Sequence, residues 1–144
     1  MLKTISSYQR KWLFGTIFIL FLSLLLHLPF FGQLPSGLNR DEAALGYNAY
    51  SLLKTGKDEW GKSYPVSITS FGDQKLPGYI YTLIPFVAVF GLETWVVRLP
   101  SLLAGLAIIL GMGLIASSVA RALKLSEKSQ LSLSLITMLL IAIS

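Results

Sequence analysis

The side chains that could do chemistry lie mostly in three short stretches. They are Arg40-Asp41-Glu42, Asp58-Glu59-Trp60-Gly61 and Asp73-Gln74-Lys75, with Arg98 further along. The chain has no cysteine, which excludes a disulfide scaffold, a thiolate metal site and a cysteine nucleophile. A lone histidine, His27, supports no zinc site, and no metal ligand set is read from the sequence. No phosphate-binding glycine loop or dinucleotide fingerprint occurs, so a soluble nucleotide donor is not indicated. No cofactor is identified, and dependence on a divalent metal is left open. Lys75 and Arg98 each have two readings. Either cation can snorkel at the headgroup level, or hold a phosphate at a membrane surface. With both at the outer face, they are expected to converge on one anion.

Asp41 and Glu42 need a helix to position them. Asn39 fits an N-cap and Glu42 the third helical position, a capping-box pattern. Gly56 fits the residue just past the helix end. Acids in a first turn also favour the positive end of the helix dipole, so Glu42 reads first as a cap. Asp41 falls within about 40° of Leu45 and Leu52 on a helical wheel, with Ala44 and Ala49 flanking that arc. It is therefore expected to face the apolar side, where a carboxylate needs a partner. On the residues alone it is equally a capping acid or a functional carboxylate. Asp58-Glu59-Trp60-Gly61 reads as a solvated turn with an aromatic anchor.

These stretches sit in a chain whose composition belongs to a membrane. Of its 144 residues, 53% are apolar and only 13% charged, against about 25% charged in a soluble domain. The net charge of +5 is spread along the chain, with no basic face of the kind that binds nucleic acid. The expected fold class is all-α: integral membrane helices with an extracytoplasmic loop that carries juxtamembrane amphipathic helices. A first span is expected over about 12–31. An external loop follows over 33–75, with a helix over about 40–55. An interfacial helix is expected over about 76–92, a second span over about 97–121, and a partial span over about 130–144.

Lys3, Arg10 and Lys11 precede the first span and keep the N-terminus cytoplasmic. The segment Phe31-Gly32-Gln33-Leu34-Pro35 has no small-x-small cleavage site, which argues for an uncleaved helix over a signal peptide. Pro77, Gly78 and Pro85 interrupt the stretch after Lys75. Were it to span, Arg121, Lys124 and Lys128 would lie outside, so the positive-inside rule favours an interfacial segment. The small residues Gly105, Gly111, Gly113, Ala104, Ala107 and Ala116 suit close packing of the second span. The run from Leu131 to Ser144 is short for a full crossing. The chain thus reads as the N-terminal part of a multi-pass protein of the plasma (inner) membrane.

The order of the blocks 39–56 (NRDEAALGYNAYSLLKTG), 71–81 (FGDQKLPGYIY) and 98–105 (RLPSLLAG) resembles the C-type membrane glycosyltransferases. The three are similar to family 39, which includes protein O-mannosyltransferases and the aminoarabinose transferases of lipid A. The resemblance runs from about residue 10 to the end. It implies a multi-helix enzyme that takes its sugar from a polyprenyl-phosphate donor outside the cytoplasm. It implies that Asp41 is the catalytic carboxylate, that Glu42 completes the Asp-Glu pair, and that Lys75 contacts the carrier phosphate. It also places an interfacial helix at 76–92. The family often has Lys-Pro-Pro-Leu-Tyr where this chain has Lys75-Leu76-Pro77-Gly78-Tyr79, and the family's second acidic loop lies beyond Ser144.

The expected partners are accordingly the polyprenyl-phosphate sugar, membrane lipid, and a glycan, lipid or protein acceptor. The expected mechanism has Asp41 as general base, with Lys75 and Arg98 offsetting charge on the departing phosphate. Two rival readings are weighed against it. One is a catalytically incomplete fragment or a subunit of a split enzyme. The other is a transport component, which would call for ionisable groups inside the spans, where only His27 occurs.

Overall fold

A computed structural model describes residues 6–34 and 36–144. Lys3 and Pro35, both used in the sequence reading, lie outside the described residues. The described chain is mostly helical: α1 (Ser7–His27), α2 (Arg40–Thr55), α3 (Pro77–Phe90), α4 (Thr94–Ala122) and α5 (Glu127–Ala142). Between α2 and α3 lies a short antiparallel hairpin, β1 (Ile68–Ser70) and β2 (Asp73–Lys75). Two of the helices, α1 and α4, are long and apolar enough to cross a membrane.

Local chemistry sets the helix ends. α1 starts five residues before the expected Trp12 because Ser6 accepts from the Gln9 backbone and the Gln9 side chain accepts from the Ser6 backbone. It stops at His27 rather than Phe31, since Pro29 has no N–H to extend the ladder. α3 begins with Pro77 in its first turn and ends at Gly91, whose φ is +81°. α4 begins at Thr94, ahead of the expected 97, and accommodates Pro100. Ser126 caps α5 by accepting from Ser129, so that helix begins at Glu127 rather than near 130.

The chain divides into two compact units. The first comprises residues up to 29 and 103–144. There α1 packs on α5, around Ile19, Ile109, Met138 and Ala142. Ser134 is buried and links three helices: it accepts from Trp12 Nε1 at 2.9 Å and donates to the Gly113 carbonyl at 2.8 Å. Of the three glycines expected to allow close packing, Gly113 does so, because a methyl group there would run into Met138. Gly105 and Gly111 face open space.

The second unit, 30–102, holds the candidate site. Its core is Ala49 and Leu52 of α2, Ile68 of β1, Ile80, Leu83 and Val87 of α3, and Val96 and Val97. α2 has the anticipated caps. Asn39 accepts from the Glu42 backbone, Glu42 accepts from the Asn39 backbone, and Gly56 ends the helix at φ +69°. Gly46 is required by packing, since a methyl group there would lie 2.8 Å from Val97 Cγ2.

The hairpin turns through Phe71 and Gly72, both at positive φ (51° and 79°), as a two-residue connection between right-twisted strands demands. The Arg40 guanidinium lies 4.4 Å from the centre of the Phe71 ring and ties the hairpin tip to the start of α2. Asn48, fully buried on α2, donates to the Ala44 carbonyl and accepts from the Glu59 backbone. It thereby pins the 57–63 loop to the helix. Replacing Asn48 with Leu leaves the Glu59 N–H without its acceptor, which costs roughly 1–3 kcal/mol. Thermal unfolding should show the loss, and hydrogen exchange should speed up at Glu59 and Trp60 first.

Candidate functional site

The first turn of α2 carries two adjacent carboxylates, and the fold treats them differently. Glu42 is held from several sides. Arg98, near the start of α4, donates from Nε to Oε1 at 2.9 Å and from Nη2 to Oε2 at 3.1 Å. The same guanidinium donates to the carbonyls of Leu34 and Gly37. The pair is half-hidden, with 11% of the Arg98 side chain and 25% of the Glu42 side chain exposed. The Arg98 hydrogen bonds, helped by the Asn39 backbone N–H, hold the Glu42 carboxyl below its ordinary value despite some loss of solvent.

Asp41 points to solvent, with 69% of its side chain exposed. This corrects the expectation that it faces the apolar side. It does head the stripe that Ala44, Asn48 and Leu52 bury, but it occupies the first helical turn, where no element covers it. Its partner is Lys75, at the end of β2, whose Nζ donates to Asp41 Oδ1 at 2.8 Å and to Asp73 Oδ2 at 3.0 Å. The alternation of a strand puts Asp73 and Lys75 on one face, so the hairpin delivers a cation and a second carboxylate together. Hydrogen bonds to Asp41 and Asp73 raise the Lys75 pKa above its ordinary value. The bond from Lys75, with one from the Gln74 backbone, lowers that of Asp73.

Lys75 and Arg98 are therefore not gathered on a single anion. Each grips one of the two neighbouring acids of α2. The reason is geometric: Lys75 arrives on the hairpin and Arg98 on the opening turns of α4, and Asp41 and Glu42 project roughly 100° apart on the helix.

The Asp58 turn is solvated as expected at Glu59, Trp60 and Gly61, but not at Asp58. Asp58 is buried, and its Oδ1 accepts from the backbones of Trp60 and Lys62 at 3.0 and 2.8 Å. Its Oδ2 has no hydrogen-bond partner among the described residues. The turn itself was legible, because an aspartate that bonds two and four residues ahead is local chemistry. Its burial was not, because that depends on Asn48. The indole of Trp60 donates to the Thr69 carbonyl at 2.7 Å. The tyrosines of α3 are also bonded: Tyr79 donates to the Val97 carbonyl at 2.6 Å, and Tyr81 to the Pro65 carbonyl at 3.0 Å. These contacts, unread in the sequence, fasten α3 to the start of α4 and to the loop before β1. His27 donates from Nδ1 to the Ser23 carbonyl. Among the described residues, no group of three His, Cys, Asp or Glu side chains comes together.

Comparison with protein-family models, with curated proteins and with solved structures gives no match to this chain.

The ion pairs set a pH window for the second unit. The lowered Glu42 contributes stability that is present above the ordinary glutamate value of 4.5 and is lost as pH falls through the native one. The raised Lys75, whose two partner acids are exposed, contributes only a small, screened stability that is present below 10.5 and is lost as pH rises through its native value. The melting temperature should hold level between these limits and fall on both sides. Glu42→Gln should flatten the acid limb, and Lys75→Gln the alkaline one.

Proposed function

We propose that this chain belongs to a C-type membrane glycosyltransferase akin to family 39. It moves a sugar from a polyprenyl-phosphate carrier to an acceptor outside the cytoplasm. The observation that carries this reading is the 2.8 Å pairing of Asp41 with Lys75, which lies 34 residues away. A carboxylate suited to take a proton and an ammonium suited to face a phosphate stand side by side, with Asp41 open to solvent.

In the proposed reaction, Asp41 takes the proton of the acceptor hydroxyl. The acceptor oxygen bonds to C1 of the sugar as the bond from C1 to the phosphate oxygen breaks, and polyprenyl phosphate leaves with the electron pair. Attack opposite the phosphate inverts C1. Lys75 offsets the charge on the leaving phosphate. Glu42 and Arg98 act one step back, by holding the first turn of α2 in place.

The chain is further proposed to be a multi-pass protein of the plasma (inner) membrane, with its N-terminus cytoplasmic and residues 33–75 outside. What supports embedding is the exposure of the two long helices. Only 17% of the apolar window of α1 and 22% of that of α4 is buried, whereas the core helix of a soluble protein is mostly covered. Phe14, Ile17, Phe18 and Phe21 stand out from α1, an apolar face that favours lipid.

Asp41→Asn, made in the whole reading frame, should lower sugar transfer by ~10²–10⁴-fold at unchanged protein level. Labelled-sugar transfer in membrane vesicles measures it, and retained turnover removes Asp41 as the base. Lys75→Ala should raise KM for the lipid-linked donor more than for the acceptor; a defect confined to the acceptor contradicts its role. The sharing of Lys75 with Asp73 favours one second reading, in which the triad is a latch between hairpin and helix in a non-catalytic subunit. In that case Asp41→Asn lowers the melting temperature and leaves transfer intact.

A further inference from the structure

In the first unit, the start of α1 and the end of α4 enclose a cleft of about 440 Å³ that the proposed reaction does not use. Trp12, Leu13 and Leu114 supply apolar wall, and Tyr8, Ser117 and Arg121 supply donors. Ser117 is more than nine-tenths buried, and its hydroxyl has no hydrogen-bond partner among the described residues. A helical serine commonly turns its hydroxyl to the carbonyl four residues back. Here that carbonyl, Gly113, accepts from Ser134 instead. Arg121 folds back onto the same turn, donating from Nε to the Ser117 carbonyl at 3.3 Å and from Nη2 to Ser118 Oγ at 3.2 Å. Arg121 and Ser117 thus line the same cleft, one helical turn apart.

An exposed guanidinium, with an unpartnered hydroxyl buried in the wall of the same apolar cleft, suits an oxyanion with a hydrocarbon tail. Among the described residues, no carboxylate lines the cleft. Arg10 and Lys11 adjoin it on α1, Lys124 and Lys128 follow Arg121 in sequence, and Glu127 is the one acid in that following stretch. That excess of cations favours a lipid of net negative charge over a zwitterionic one. Leu13 and Leu114 are half-exposed and offer a track for an acyl chain.

We propose that this cleft binds an anionic phospholipid, with the phosphate held by Arg121 and Ser117 and an acyl chain lying along Leu13 and Leu114. The proposal rests on the membrane placement argued above, but not on the glycosyltransferase reading.

The test is native mass spectrometry of the full chain in dodecyl maltoside, titrated with phosphatidylglycerol and, separately, phosphatidylcholine. Phosphatidylglycerol should bind about tenfold more tightly, a difference that Arg121→Gln removes and Ser117→Ala reduces, while Arg121→Lys keeps part of it. Circular dichroism of each variant confirms that the helices are intact. Equal retention of the two lipids, or a preference that survives both Arg121→Gln and Ser117→Ala, overturns the site. Displacement of phosphatidylglycerol by millimolar inorganic phosphate also overturns it, in favour of a free-anion site. Flotation of the chain with phosphatidylcholine vesicles through alkaline carbonate separates the two ideas. Flotation without a lipid preference removes the cleft alone, and failure to float removes the membrane placement as well as the cleft.

Discussion

One carboxylate organises the second unit. Glu42 accepts from its own N-cap backbone and from two nitrogens of Arg98, and Arg98 in turn reaches the carbonyls of Leu34 and Gly37. The start of α2, the approach to it and the first turns of α4 are therefore tied at a single point. Hydrogen bonds between ionised partners are about twice as strong as neutral ones, and a two-pronged guanidinium pair also fixes orientation. Without it, the first turn of α2 would be held by its cap and by the exposed contacts that Arg40 and Asp41 make with the hairpin.

That anchoring is what gives its neighbour a defined place. Asp41 and Glu42 are adjacent in sequence and alike in chemistry, yet one is engaged by a half-hidden arginine and the other stands in solvent with a lysine. An exposed ion pair is worth little and exchanges partners readily, whereas an engaged one resists change. A helix that spends one acid on structure and leaves the next accessible has separated the two duties a carboxylate can perform. The hairpin adds to this separation. Its tight turn at Phe71 and Gly72, held by Arg40, sets where Lys75 and Asp73 emerge.

The first unit solves a different problem. Its helices are apolar nearly throughout, so its few polar groups must find one another. Ser134 satisfies the Trp12 indole and uses the Gly113 carbonyl, and Gly113 permits the approach by having no side chain to meet Met138. The same arrangement leaves the Ser117 hydroxyl without a partner among the described residues, one turn before the basic end of α4. In an apolar setting such a group is costly to leave unmatched.

The local features were legible in the amino-acid order. The Asn39–Glu42 capping box, the Gly56 helix end and the apolar length of α1 and α4 all rest on bonds within about four residues or on composition. Helix starts at Ser7 and Glu127 were readable in principle from Ser6, Gln9 and Ser126, since these too are local caps. What the order of residues could not decide was partnership. Lys75 lies 34 residues from Asp41, and Arg98 lies 56 from Glu42. Which cation meets which acid depends on where a hairpin and a helix start come to rest. Exposure was equally out of reach: Asp41 lies on a stripe whose later residues are covered, and Asp58 sits in a turn that Asn48 draws inward. A helical wheel gives direction around an axis but not the neighbour waiting there. That neighbour is supplied by chain packing, and only the tertiary structure contains it.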